Sequence, residues 1–236
     1  MPYPGYDVPR CAPMSSDAVG CPFGKIDART CVDDTQMPTS PSFQPGDGLL
    51  LVDPQNDFCP GGSLPVAGGD AVMPILNAWA AAAQRANVPI FVSRDWHPAR
   101  TTHFKDAGGT WPVHCVMGTR GAEFHSELRL PPGAVIVSKG MGEAEDAYSA
   151  FQARDSGGVP LATLLGERGV RHLYLMGLAT DYCVKASALD GLAAGFQVTV
   201  VREGIRAVNL QPLDGDQALD EMRASGAALT EEVNAA

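Results

Sequence analysis

Three side chains could together attack a carbonyl: Asp53, Lys139 and Cys183. Cys183 lies in GLATDYCVKASALD, residues 177–190, where an apolar run stops at a turn, Gly177 to Ala179, and a helical pattern starts. With Thr180 as capping residue, Cys183 falls at the third helical position, where unpaired N–H groups and the positive end of the helix dipole favour a thiolate. Asp53 could accept the thiol proton, and the Lys139 ammonium could lower the thiol pKa and hold the carboxylate in place, so no histidine base is needed. The backbone N–H groups of Ala179 and Cys183 are natural donors to an oxyanion. These are the parts a cysteine amidase requires, including a group to return the proton to a leaving ammonia.

A second constellation runs from Asp95-Trp96-His97 through His103 to His114, four metal-type side chains in a sequence with only five histidines. Carboxylate and imidazole suit one borderline divalent ion, zinc first, with manganese or iron also compatible. The remaining histidines, His125 and His172, have no such company. Phe58 follows Asp53, Trp111 precedes His114 and Tyr148 follows Lys139, so aromatic rings accompany both constellations and could clamp a flat ring. Each residue also has a plainer reading: Asp53 before Pro54 as a turn residue, Asp95 as a cap, Lys139 as a solvated charge, Cys183 and the aromatics as core.

The elements that must position these groups alternate. Leu49 to Val52 is a continuous apolar run, as in a parallel strand covered on both faces, and ends at Asp53. Val72 to Ala86 reads as an Ala-rich helix and Val88 to Ser93 as a strand ending at Arg94-Asp95. Residues 96–133 are loop-rich, with a short helix near Ala122 to Leu128. Ala134 to Ser138 is a strand ending at Lys139, and His172 to Met176 a strand leading to Cys183. After the helix through Ala194 come a strand, Gln197 to Arg202, a helix, Leu213 to Ser225, and a short strand at Ala227 to Thr230. This alternation predicts an α/β fold, a doubly wound, mainly parallel sheet of five to six strands with helices on both faces. In such a sheet the strands point their C-terminal ends at one rim, which would gather Asp53, Asp95, Lys139 and Cys183.

The whole sequence narrows the partners. Its 236 residues, 45% hydrophobic, suffice for one sizeable core, and residues 46–236 are expected to form it. Residues 1–45 read as an irregular N-terminal extension of unassigned role, rich in Pro, Ser, Asp and Thr. A net charge of −10 without Lys/Arg clusters argues against nucleic acid and anionic membranes and leaves a small molecule as partner; a homo-oligomer stays open. Neither a membrane-spanning run nor an export signal is evident, so a cytoplasmic protein with reduced thiols is expected. Cys11, Cys21 and Cys31 lack metal-like spacing, and no Cys-x-x-Cys suggests redox work.

Five segments, LLLVDPQNDFCPGGSLPVAGG, SRDWHPARTTHF, WPVHCVMGTRGAEFH, VSKGMGEAEDAYSAF and GLATDYCVKASALDGLAAGF, resemble the nicotinamidase branch of the isochorismatase-like cysteine hydrolases in order and separation. The resemblance spans about residues 48–230. It implies an Asp53, Lys139 and Cys183 triad, a metal held by Asp95, His97 and His114, and pyridine-holding aromatics at Phe58 and Trp111. His103 matches a ligand present in only some members. A cis peptide at Leu178-Ala179 would aim the oxyanion donors. The activity implied is hydrolysis of nicotinamide to nicotinate and ammonia in pyridine-nucleotide salvage, with pyrazinamide as a side substrate and the metal meeting the ring nitrogen and a water. Two alternatives remain: an amidase of the same superfamily acting on N-carbamoyl or ureido substrates, which generally lacks the metal set, and a non-catalytic metal-dependent binding protein.

Overall fold

The computed structural model describes residues 42–230, so Cys11, Cys21 and Cys31 lie outside the described residues. Within them, strands β1 (Asp47–Val52), β2 (Ile90–Asp95), β3 (Val135–Lys139), β4 (His172–Leu178), β5 (Gln197–Arg206) and β6 (Ala228–Leu229) form one parallel sheet in the order β3-β2-β1-β4-β5-β6. Helices α1 (Met73–Arg85), α2 (Leu161–Glu167), α3 (Lys185–Ala193) and α4 (Asp214–Ala224) flank it. Leu49, Leu50, Leu51 and Val52 are fully buried, as a central strand covered on both faces requires. Helix α1 buries Met73, Leu76, Ala80 and Ala83, a spacing that puts them on one face. Phe43, ahead of the expected boundary at residue 46, packs edge-on against Trp79 and Tyr174.

Strand order reverses direction beside β1, whose neighbours are β2 and β4, and this is where open α/β sheets bind ligands. Register then does the positioning. Val52 lies level with Gly177, so Asp53 and the turn after β4 leave the sheet side by side, while Asp95 lies level with Lys139 at the ends of β2 and β3. Gly177 makes the first pairing feasible: its φ is 128°, and a Cβ there would collide with the Val52 carbonyl oxygen.

Several local expectations need correction. No helix forms over residues 123–128; only Arg120–Ala122 makes a short 3-10 turn. The backbone beyond it pairs with the β1–α1 loop instead, through Asn56 N to Glu123 O (3.0 Å) and His125 N to Pro54 O (2.9 Å). Helix α2 was not anticipated; Pro160 starts it, and Leu161, Leu164 and Leu165 bury its short apolar face. Strand β2 begins at Ile90 and runs through Asp95, β4 continues through Leu178, and β5 extends to Arg206. Thr180 is not the capping residue. Ala179 occupies that place, no side chain caps the turn, and Thr180–Val184 winds as a wide π turn before α3. Cys183 is therefore the fourth residue of that turn rather than the third of an α-helix.

Candidate active site

Lys139 is fully buried at the centre of the rim, where four acceptors surround its three N–H bonds. Its Nζ pairs with Asp95 Oδ1, lies 2.9 Å from Asp53 Oδ2, and donates toward Ala147 O (3.1 Å) and Cys183 Sγ (3.5 Å). Asp53 is held by Ser93, whose Oγ donates to Oδ1 at 2.7 Å. Asp53 Oδ2 meets Lys139 as an ion pair but lacks hydrogen-bond alignment, which leaves it able to accept a proton. Burial pushes the Asp53 carboxyl up, with Lys139 opposing. Burial alone would favour a neutral Lys139, but Asp53 and Asp95 hold its pKa well above the usual amine range. Burial is also the larger influence on Cys183, raising its thiol well above the usual range despite Lys139. That direction is opposite to the one the helix terminus alone would give.

Asp95 turns its other oxygen toward the histidines: Oδ2 lies 3.7 Å from His97 Nε2 and 3.9 Å from His114 Nε2. The same tautomer recurs around them. His97 Nδ1 faces Gly140 O at 2.9 Å, His114 Nδ1 faces Pro112 O at 2.7 Å, and His103 Nδ1 faces Asp146 Oδ1 at 2.7 Å. Each of these oxygens can only accept, so each Nδ1 carries a hydrogen and each Nε2 is the atom left to face a ligand. Ligand atoms of the three rings lie within 4.8 Å of one another. His97 Nε2 is buried without a hydrogen-bond partner, and burial lowers the His114 pKa to about 4, keeping that ring neutral. A convergent set of imidazoles with an unpartnered buried nitrogen and a carboxylate suits a divalent cation. Asp53, Asp95 and Cys183 also converge, but the Lys139 ammonium already occupies the cation position among them. Gly140 admits the His97 ring: its φ is 66°, and a Cβ there would strike the imidazole.

Both groups open into one cleft of about 420 Å³, lined by Asp95, His103 and His114 as well as by Ala179 and Cys183. Phe58, Trp111 and Tyr148 line it too, with Trp111 Nε1 donating to the Tyr148 hydroxyl at 2.8 Å. The Leu178-Ala179 peptide is cis. His172 stands apart, bonded to Asp47 Oδ1 and Thr199 Oγ1 at 2.8 Å each, and His125 also lies outside the cleft lining.

Sequence reasoning missed several residues here. Tyr182 lines the cleft and meets Trp111 edge-on at 4.9 Å; its place beside Cys183 was an available signal. Gln55 continues the β1–β2 pairing with its side chain, accepting from Asp95 N (2.8 Å) and donating to Asp95 O (2.7 Å). Asp181 holds Val208 N and Asn209 N at 2.9 and 2.8 Å, fixing the Val208 wall of the cleft. Ser93, Gln55 and Asp181 act on partners distant in sequence and carry no local pattern.

Fold and site together define a cysteine hydrolase built on a parallel α/β sheet. The isochorismatase domain model matches residues 47–232, and the chain belongs to the isochorismatase family. It is 39% identical over 203 residues to a nicotinamidase of Escherichia coli (strain K12), covering 78% of this chain and 94% of that protein. It is 36% identical over 184 residues to a nicotinamidase/pyrazinamidase of Mycobacterium tuberculosis, covering 77% and 96% respectively. The crystal structure of a Pyrococcus horikoshii pyrazinamidase in complex with zinc matches with a TM-score of 0.73 and 41% identity, covering 79% of this chain and 99% of that one.

Proposed function

We propose that the chain hydrolyses nicotinamide to nicotinate and ammonia through a thioester on Cys183, with pyrazinamide and related pyridine carboxamides as further substrates. The carrying observation is one cleft with His103, His114 and Asp95 on its lining together with Cys183 and two buried aromatics, Phe58 and Trp111. Asp95, His97, His103 and His114 would hold a divalent metal, which when bound supplies a Lewis acid for the pyridine nitrogen.

Asp53 takes the Cys183 proton as the sulfur attacks the carboxamide carbon, and the N–H groups of Ala179 and Cys183 receive the developing oxyanion. Asp53 then gives the proton to the nitrogen, the C–N bond breaks and ammonia leaves. A water attacks the thioester with Asp53 again as base, releasing the acid and restoring the thiol. Lys139 stays protonated throughout and holds Asp53 toward the sulfur. Phe58 and Trp111 clamp the ring, with Tyr148 fixed by the Trp111 N–H. An N-carbamoyl or ureido substrate has no ring nitrogen to use the imidazole set.

Ammonia release from nicotinamide, pyrazinamide and a panel of ureido and N-carbamoyl compounds tests this reading. Turnover of the pyridine amides is expected, and turnover confined to the other compounds would overturn it. Cys183→Ala should abolish release, at least about a thousandfold below wild type. Wild-type rates in that variant would remove the thioester from the mechanism.

A further inference from the structure

His103 is held from its outer side by a side chain, unlike its two neighbours. His97 and His114 spend their Nδ1 hydrogens on the backbone carbonyls of Gly140 and Pro112. His103 spends its hydrogen on Asp146, at 2.7 Å, with the imidazole 6% and the carboxylate 60% exposed. Backbone pairing brings the two loops together: Thr102 N donates to Glu143 O at 2.8 Å. Glu145, the neighbouring acid, is engaged elsewhere, accepting from Gly142 N at 3.0 Å. The ring of His103 then lies with its centroid 4.8 Å from that of His97 and 5.4 Å from that of His114.

We infer that Asp146 is a positioning residue for the divalent-metal site, fixing the tautomer and direction of His103 so that its Nε2 serves as a ligand beside Asp95, His97 and His114. The inference rests on the metal-site reading above. A carboxylate behind a ligating imidazole orients the ring and raises its basicity, and losing such a partner typically costs 10- to 100-fold in metal affinity. The carboxylate is largely exposed, so its removal leaves the core intact.

The test is zinc titration of the metal-stripped, full-length protein in competition with a chromophoric chelator, which needs no substrate. Asp146→Ala should weaken zinc binding about 10- to 100-fold. Asp146→Asn, which keeps an acceptor without the charge, should lose less. His103→Ala should lose at least as much as Asp146→Ala, and adding Asp146→Ala to it should cost nothing more. Wild-type affinity in Asp146→Ala, or an undiminished further loss in the double variant, would overturn the inference. A wild-type protein that binds no zinc would overturn the metal-site reading with it, whereas one that binds zinc without hydrolysing nicotinamide would overturn only the substrate reading.

Discussion

Asp53 carries the proton in the proposed chemistry, and its surroundings set the pH at which it can do so. The carboxylate form is the base, so activity falls as pH drops through its folded-state pKa. Burial raises that pKa, with Lys139 and the Ser93 hydroxyl opposing. The acid limb of kcat/KM should therefore lie above the ordinary aspartate range, and a pH–rate profile with its limb at or below that range would contradict the assignment. Ser93→Ala removes the hydrogen bond to Oδ1, which favours the charged form, so the limb should move to higher pH. The loss in kcat/KM should be about tenfold, the rate equivalent of one charge-assisted hydrogen bond. An unchanged profile in that variant would show that Ser93 does not orient the base.

Strand ends and turns decide whether these side chains meet. Gly177, in β4, packs directly against the Val52 backbone next to Asp53, at a φ that side chains other than glycine's rarely adopt. Gly177→Ala should destabilise the fold by at least about 2 kcal/mol and separate the β1 and β4 rims. Urea unfolding measures the first effect; a variant within about 0.5 kcal/mol of wild type would mean that the close approach is dispensable. Strands were legible because continuous apolar runs such as Leu49 to Val52 have few alternatives in a sheet covered on both faces. The Ala122 to Leu128 segment was not, since its backbone partners, Asn56 and Pro54, come from a loop far away in sequence. Nor was the π turn at Thr180–Val184, which no side chain caps and whose Asp181 carboxylate accepts from Val208 N and Asn209 N.

At the scale of the molecule, the metal should couple to folding, because its ligands come from the end of β2 and two separate stretches of loop and converge only in the native state. Free metal at 100 times Kd should add about 2.7 kcal/mol, roughly 5–10 °C in Tm for a domain of this size. Chelation should remove both that increment and amide hydrolysis, and returning zinc should restore them; a Tm indifferent to metal would argue against a bound ion. Among the described residues, no helix is long and apolar enough to cross a membrane. Sequence by itself determined the alternating elements and the types of side chain at the strand ends, because burial on both sheet faces and helix periodicity are written in local hydrophobic patterns. Tertiary structure alone decided that Lys139 meets Asp53, Asp95 and Cys183 at once, that burial pushes the cysteine thiol up, and that Asp146 stands behind His103. Those outcomes depend on register, burial and loop-to-loop pairing between distant segments, which a local pattern cannot encode.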